Sequence, residues 1–212
     1  IEYGVEVDVT EPGVMRTIPL FAPVRQSVTE TITVENPLPK DESVAFAGDD
    51  WWKCDDPNVR VRQVSPVTLS AEGVFEVEYR PLVLHAEDGG VREVTLTLQC
   101  EALGDYIYTL QLKATPAGTM RSMHFKASLG SEHVQSFRFK NYLTRAEDYN
   151  CEVSQPLFFD VAAQVKAEAA EDWEGCEVVV EVRFEPQALG AVRDTLTISS
   201  PDGGQYVCTL HG

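Results

Sequence analysis

The chain contains the stretch Ile32-Thr33-Val34-Glu35-Asn36 and, 105 residues later, the stretch Phe137-Arg138-Phe139-Lys140-Asn141. Each alternates apolar and polar residues before a terminal asparagine, which predicts a β-strand with one face in a core. The same shift superposes Met15-Arg16 on Met120-Arg121. A constant shift between two such sets of positions predicts that the chain is a tandem duplication of one domain.

The duplication continues beyond a single break in its register. Residues 76–81 superpose on residues 181–186 at the shift of 105, whereas residues 95–98 superpose on residues 195–198 at a shift of 100. The first copy therefore has five extra residues after Pro81. They fall in a polar, glycine-rich stretch around residues 85–90, which predicts a longer surface loop because insertions there cost little.

Turn signals such as Asn36-Pro37 and Gly203-Gly204 separate segments rich in β-branched and aromatic residues. This spacing predicts about seven short strands in each copy, as in an immunoglobulin-like β-sandwich. We therefore predict an all-β chain of two tandem sandwiches, residues 14–115 and 119–212. One stretch departs from the pattern, because residues 162–171 consist of strong helix formers and predict one or two helical turns or a loop.

Residues 1–13 have two interpretations. At the shift of 105, Val5, Val7 and Val9 superpose on the last strand of the first copy. They are then either the end of a preceding domain or linker, or the first strand of the first domain. Because the chain begins at Ile1 without a methionine, we expect it to be part of a longer protein.

The chain carries 34 acidic and 17 basic residues, a net charge of −17. An acidic surface repels the phosphates of nucleic acids and of anionic membranes, so we expect neither as a partner. No apolar run reaches the ~18 residues that a membrane-spanning helix needs. Hydrophobic residues make up 43% of the chain, which is enough to build packed cores.

The cysteines are odd in number and occur at unrelated places in the two copies. Their spacing matches no zinc motif, and they are Cys54, Cys100, Cys151, Cys176 and Cys208. A disulfide framework duplicated with the domain would have stayed in register. We therefore predict reduced, mostly buried thiols in an intracellular protein.

The two strand-plus-asparagine stretches resemble the opening of ASH domains, which are immunoglobulin-like domains related to major sperm protein and found in tandem in hydin-type ciliary scaffold proteins. Tyr79-Arg80-Pro81 and Phe184-Glu185-Pro186 are similar to the aromatic-x-Pro of this family, and Leu210-His211-Gly212 is similar to its closing Leu-x-Gly. The first copy departs from the family because Lys113 follows Leu112 and the closing glycine is missing. In the second copy, residues 129–130, 137–142 and 149–151 most resemble another long ASH-array protein of motile cilia.

This resemblance implies a non-enzymatic structural segment of a cilium or flagellum, in the central apparatus of the axoneme. It implies other axonemal proteins as partners, no cofactor, no small-molecule substrate and a location on the reducing, cytoplasmic side. The alternative is a periplasmic or cell-surface sandwich, such as an adhesin or chaperone-like module, for which we expect native disulfides. An enzyme or carbohydrate-binding domain would need a pocket of clustered carboxylates, which nothing in the sequence predicts.

No residue is predicted to be catalytic. The four histidines have no counterparts in the other copy, which favours surface or edge positions over catalysis, and they are His85, His124, His133 and His211. The acidic run at residues 49–56 has the oxygens for calcium. Two tryptophans interrupt it, however, and it lacks the glycine turn and distal glutamate of a calcium loop, so we predict no metal there.

The same run holds the candidate protein contact, namely Asp49, Asp50, Trp51 and Trp52. If the tryptophans lie on a strand, one ring enters the core and the other faces outward. An exposed tryptophan ringed by acids is a good contact residue, because tryptophan is enriched at binding hot spots. The alternative is that both rings pack under a loop. At the shift of 105 they superpose on Pro156-Leu157, so the feature belongs to the first copy only.

Overall fold

The computed structural model describes most of the chain. The described residues are Gly4, 13–37, Val44, Phe46, 50–68, 71–84, 90–118 and 121–212. The two interpretations of residues 1–13 and most of the predicted long loop at residues 85–90 therefore lie outside the described residues. The described residues contain fifteen strands and divide into two compact units. The second unit consists of Pro116–Gly212 with Leu82–Leu84, and the first holds the preceding part of the chain. The predicted all-β fold is confirmed.

The first domain has seven strands in its described residues. They are β1 (Val14–Pro23), β2 (Val28–Val34), β3 (Trp52–Cys54), β4 (Val59–Ser65), β5 (Gly73–Tyr79), β6 (Val91–Cys100) and β7 (Gly104–Thr115). They form one sheet in the order β1-β7-β6-β3 and a second in the order β2-β5-β4.

The described part of the second domain has eight strands. They are β8 (Arg121–His124), β9 (His133–Asn141), β10 (Glu147–Val153), β11 (Phe159–Val161), β12 (Gln164–Ala167), β13 (Cys176–Phe184), β14 (Arg193–Ser200) and β15 (Gly204–His211). One sheet has the order β12-β10-β14-β15-β8 and the other the order β11-β13-β9.

The strand pairing repeats the register that the sequence predicts. Ile32 lies opposite Phe75 in the first domain, and Phe137 lies opposite Val180 in the second. Both pairs are related by the shift of 105, so the same ladder is built twice. The alternating pattern also has its expected outcome, because Phe137 and Phe139 are buried in the core while the intervening Arg138 is exposed.

The first strand of each domain runs parallel to the last strand. Ile18 of β1 lies opposite Leu110 of β7, and Met123 of β8 lies opposite Leu210 of β15. The first strand thus extends the sheet that contains the last two strands instead of the sheet that contains the second strand. Each pair of sheets encloses its own apolar core, in which Ile18, Leu110 and Leu210 are fully buried.

The helical turns or loop expected at residues 162–171 are wrong for residues 164–167, which form β12. This strand runs antiparallel to β10, with Val165 opposite Tyr149. Val165 packs against the core and Ala167 is buried. Residues 162–171 are fewer than the ~12–15 that an isolated helix needs, so cross-strand packing outweighs their helix propensity. Among the described residues, no helix is long and apolar enough to cross a membrane.

Candidate contact surface

The tryptophan pair lies at the start of the edge strand β3. Trp52 is the first residue of β3 and lies opposite Leu98 of β6. The backbone carbonyl of Trp51 accepts a hydrogen bond from the Gln99 amide, with a nitrogen-to-oxygen distance of 2.7 Å. Both tryptophan backbones are therefore held against β6 at the border of the sheet.

Both tryptophan rings are half-buried and pack against the core of the first domain. The Trp51 ring centroid lies 6.0 Å from that of Phe46 and 5.6 Å from that of Phe75. The pair thus departs from the strict alternation in which one ring faces inward and the other outward. Part of each ring stays accessible at the surface, so each can contribute both to packing and to a contact.

The predicted equivalence of the tryptophans with Pro156-Leu157 is wrong. Trp52 lies opposite Leu98, whereas Cys151 of β10 lies opposite Ile198, and these partners are related by the shift of 100. Trp51-Trp52 therefore corresponds to Asn150-Cys151. The first domain has six more residues between Asn36 and Trp52 than the second has between Asn141 and Cys151, which breaks the simple shift.

The acidic residues of this run occupy different environments. Asp49 lies outside the described residues, and Asp50 and Asp55 are exposed. Asp56 is buried, accepts a hydrogen bond from the Asn58 amide at 2.7 Å and is ion-paired with Arg92 of β6. Asp56 therefore stabilises the turn between β3 and β4, and its carboxylate is bound within the first domain.

The described residues contain no group of three or more potential metal ligands. His124 and His211 lie opposite each other on β8 and β15, and their rings stack with centroids 4.7 Å apart. The Ser122 hydroxyl lies 3.5 Å from Nε2 of His124. Among the described residues, no carboxylate pairs with either ring, so the orienting group of a catalytic triad is not in place there. His133 accepts a hydrogen bond from the Lys126 amide, and His85 lies outside the described residues.

The five cysteines are free, and Cys100, Cys151 and Cys208 are buried. Burial raises the pKa of the Cys151 thiol to about 11. Burial, together with the charge of Asp55, raises the pKa of Cys54 to about 11. The thiolate is the nucleophile in cysteine chemistry, so these two side chains are inert thiols at neutral pH.

The sequence pattern singles out Asn141, and the structure shows what its side chain does. The side chain is fully buried at the end of β9. Its Oδ1 accepts hydrogen bonds from the Tyr149 hydroxyl at 3.1 Å and from the Leu143 amide at 3.2 Å. Its Nδ2 donates to the carbonyl oxygens of Glu168 and Arg145, at 2.9 and 3.2 Å. This asparagine therefore joins the loop between β9 and β10, the segment after β12 and strand β10.

The aromatic-x-Pro segments also have a shared structural role. The amide of Arg80 donates to the carbonyl oxygen of Asn58, and the amide of Glu185 donates to that of Phe158, both at 2.9 Å. In each domain the residue between the aromatic residue and the proline thus holds the turn that precedes β4 or β11. The residue types do not predict this hydrogen bond, because it joins backbone atoms that every residue has.

Comparisons with known proteins find similarity along nearly the whole chain. The chain is 36% identical over 211 residues to the hydrocephalus-inducing protein homolog of Homo sapiens, and the alignment covers 99% of this chain and 4% of that protein. This chain is similar to hydrocephalus-inducing protein. The Mus musculus hydrocephalus-inducing protein is likewise 36% identical over 210 residues, with the same coverage of 99% and 4%. Similarity along the whole chain supports the hydin-type family that the short motifs indicate.

The chain spans about 4% of the length of these curated relatives. No family model matches it. Among solved structures, an endo-fucoidan hydrolase of glycoside hydrolase family 107 is 8% identical, with a TM-score of 0.37 and coverage of 95% of this chain and 27% of the hydrolase. Because the sequence identity and the TM-score are this low, the likeness supports no statement about the function of this chain.

Proposed function

We propose that the chain is a non-enzymatic structural segment of a hydin-type ciliary protein, formed by two immunoglobulin-like domains of a longer tandem array. The observation that carries this proposal is the 36% identity to hydrocephalus-inducing protein over 99% of the chain. The repeated strand register supports it, because arrays are built by repeating one unit.

The finer parts of the proposal rest on the resemblance to ASH domains. We place the segment in the central apparatus of the axoneme, with other axonemal proteins as partners. The similarity of residues 129–130, 137–142 and 149–151 to cilia- and flagella-associated protein 47 agrees with the same class of protein.

The free cysteines agree with a reducing location. All five are free and three are buried. A periplasmic or cell-surface sandwich of this size would be expected to hold disulfides. The alternative of an adhesin or chaperone-like module therefore has no supporting observation in this chain.

The contact surface that we propose on the first domain consists of Trp51, Trp52, Asp50 and Asp49. The two half-buried rings are fixed by the core, so little side-chain entropy is lost when a partner covers their exposed parts. The exposed carboxylate of Asp50 adds negative charge beside them. A partner with a basic rim around an apolar centre fits this surface.

The test is the location of the full-length protein in motile ciliated cells, measured by immunogold labelling of axoneme cross-sections. We expect label on the central apparatus. Label restricted to the ciliary membrane, or to the cell body, would contradict the proposal. Non-reducing mass spectrometry of the same protein gives an independent check, because native disulfides would favour the extracellular alternative.

A further inference from the structure

Side chains cover the free edge of β9 in the second domain. β9 pairs with β13 on one side only, so its other side is an edge of the sheet. The carbonyl oxygen of Arg138 accepts a hydrogen bond from Arg121 at 2.8 Å. That of Lys140 accepts one from the Tyr206 hydroxyl at 2.5 Å. Because these acceptors are occupied, this edge resists pairing with another strand.

A further bond joins β9 to the neighbouring edge strand of the other sheet. Nε2 of Gln135 donates to the carbonyl oxygen of His124, the last residue of β8, at 2.6 Å. β8 is itself an edge strand. The two edges on this side of the second domain are therefore tied to each other, which opposes the addition of a strand there.

The corresponding edge of the first domain, that of β2, has weaker bonds of this kind among the described residues. At the shift of 105, Glu30 stands at the position of Gln135, and a carboxylate has no N–H to donate. Arg16 reaches the carbonyl oxygen of Thr31 at 3.5 Å, which is a long hydrogen bond. Two of the three bonds that cover β9 are thus replaced by a poor donor or a longer contact.

The tyrosine bond also differs between the two domains. Tyr106 lies opposite Leu98 as Tyr206 lies opposite Ile198, so the two tyrosines are equivalent at the shift of 100. Among the described residues, no hydrogen bond joins the Tyr106 hydroxyl to β2. The described part of the first domain therefore leaves the edge of β2 more open than that of β9.

The backbone groups on this edge of β2 belong to three threonines. The Thr31 carbonyl bonds outside its sheet, and alternate residues of an antiparallel strand face the same side, so Thr29 and Thr33 face this edge too. All three side chains are exposed. β2 has no proline and pairs with β5 without a bulge, although both features are common on edges that resist pairing. The three threonines therefore present N–H and C=O groups at the spacing that an added strand requires.

Glu30 determines what kind of strand fits this edge. It is exposed, and it is the only charged residue of β2. A lysine or arginine beside it makes a favourable cross-strand pair, whereas a second acidic strand, such as β2 of another copy, is repelled. The net charge of −17 on the whole chain acts in the same direction.

We propose that β2 accepts an extended segment of another protein as a further strand of its sheet, with a lysine or arginine of that segment beside Glu30. Backbone hydrogen bonds to Thr29, Thr31 and Thr33 supply affinity, and the pair with Glu30 supplies selectivity. β2 lies in a different sheet from β3 and the tryptophan pair, and strand addition there does not require the ciliary location.

The test is selection of a random peptide library on purified residues 1–212, followed by nuclear magnetic resonance of the chain with the tightest-binding peptide. We expect that peptide to contain lysine or arginine and, at saturation, to slow hydrogen exchange of the Thr29, Thr31 and Thr33 amides by at least about tenfold. The amide of Ser136, which is equivalent to Thr31 on the covered edge of β9, is the internal reference and keeps its rate.

Three results would overturn the proposal. One is a library that yields no binding peptide, and another is a tightest-binding peptide that leaves the three threonine amides unprotected. The third is protection of these amides without peptide in a concentration-dependent dimer, because a second copy is then the occupant.

Variants separate strand addition from changes in folding. Thr31→Pro removes an N–H that faces the edge and takes no part in the pairing with β5, so we expect peptide affinity to fall at least about tenfold in a chain that stays folded. The matched control Ser136→Pro makes the same change on β9 and should leave affinity unchanged. Fluorescence anisotropy measures affinity, and circular dichroism establishes folding. Equal affinities of the two variants would contradict pairing at β2.

The charge is tested separately at an exposed side chain. Glu30→Lys should weaken peptide binding by about fivefold at low salt and by less at high salt, because the pair with the basic residue is lost. This variant also decides the outcome if Thr31→Pro fails to fold. Unchanged affinity in folded Glu30→Lys would exclude a basic segment at this edge.

Discussion

Arg121 donates a hydrogen bond from its guanidinium Nη1 to the backbone carbonyl oxygen of Arg138, 2.8 Å away. The bond connects the first strand of one sheet of the second domain to β9, an edge strand of the other sheet. In the first domain, Arg16 donates to the carbonyl oxygen of Thr31 at 3.5 Å, two residues before the position equivalent to Arg138. The arginine of the repeated Met-Arg dipeptide therefore links the two sheets in each domain.

Removing this link should destabilise the second domain. We expect Arg121→Ala to lower its free energy of unfolding by about 1 kcal/mol, since a hydrogen bond to a charged donor and contact with the Phe137 ring are lost together. Urea unfolding monitored by circular dichroism measures the change. The control Arg183→Ala removes an exposed ion pair with Glu132 and should change stability by less than about 0.5 kcal/mol. Equal effects of the two variants would contradict the role of Arg121.

Asn141 should be far less tolerant of substitution than an exposed asparagine. Asn141→Ala leaves the buried Tyr149 hydroxyl and the Glu168 carbonyl without this partner, which we expect to cost about 2–4 kcal/mol. Asn150→Ala on the exposed face of β10 is the matched control, with an expected cost below about 1 kcal/mol. Chemical unfolding of both variants gives the comparison. A loss for Asn141→Ala no larger than that of the control would show that its hydrogen bonds are dispensable.

Gly203 leaves no room for a larger side chain beside Tyr149. A Cβ at this position would overlap the Tyr149 hydroxyl and crowd Ser200 Oγ, 2.7 Å away. We expect Gly203→Ala to lower the melting temperature of the second domain. Gly118→Ala, where a Cβ meets nothing within 4 Å, should be neutral. Differential scanning calorimetry measures both, and equal melting temperatures of the two variants would refute the steric cause.

The buried Cys151 thiol predicts a loss of stability at alkaline pH. Burial raises its pKa from 9.0 to about 11, so folding favours the protonated thiol. Its contribution is complete below pH 9 and is lost as the pH rises from 9 to 11, because the unfolded chain ionises first. We expect Cys151→Ala to flatten the pH dependence of unfolding over this range. Identical pH profiles for the wild type and Cys151→Ala would rule out this linkage.

The proposed contact surface predicts different effects for its two kinds of residue. We expect Trp52→Ala to weaken binding of the axonemal protein recovered by residues 1–212 by at least about tenfold, as for a hot-spot residue. Asp50→Lys should weaken it by about fivefold at low salt and less at high salt. Titration by biolayer interferometry measures both, with circular dichroism to establish folding. The control Asp148→Lys changes an exposed acid on the second domain and should have no effect, and a folded Trp52→Ala variant with unchanged affinity would exclude the surface.

The limits of sequence-based prediction are clearest at residues 162–171. Their composition favours helix, and only the pairing of Val165 with Tyr149 on a strand distant in sequence makes residues 164–167 a strand. The tryptophan pair shows the same limit. Its residues stand out in the sequence, yet their equivalence to Asn150-Cys151 depends on strand register, which an insertion of six residues conceals from a fixed shift.

By itself, the sequence determined the duplication, the all-β fold and the inward faces of the strands, as at Phe137 and Phe139, because side chains alternate along a strand whatever its neighbours are. Only the tertiary structure decided which distant residues meet. It brought Arg121 to Arg138 and Asn141 to Tyr149. Such contacts depend on how strands pair across the chain, which local residue patterns do not specify.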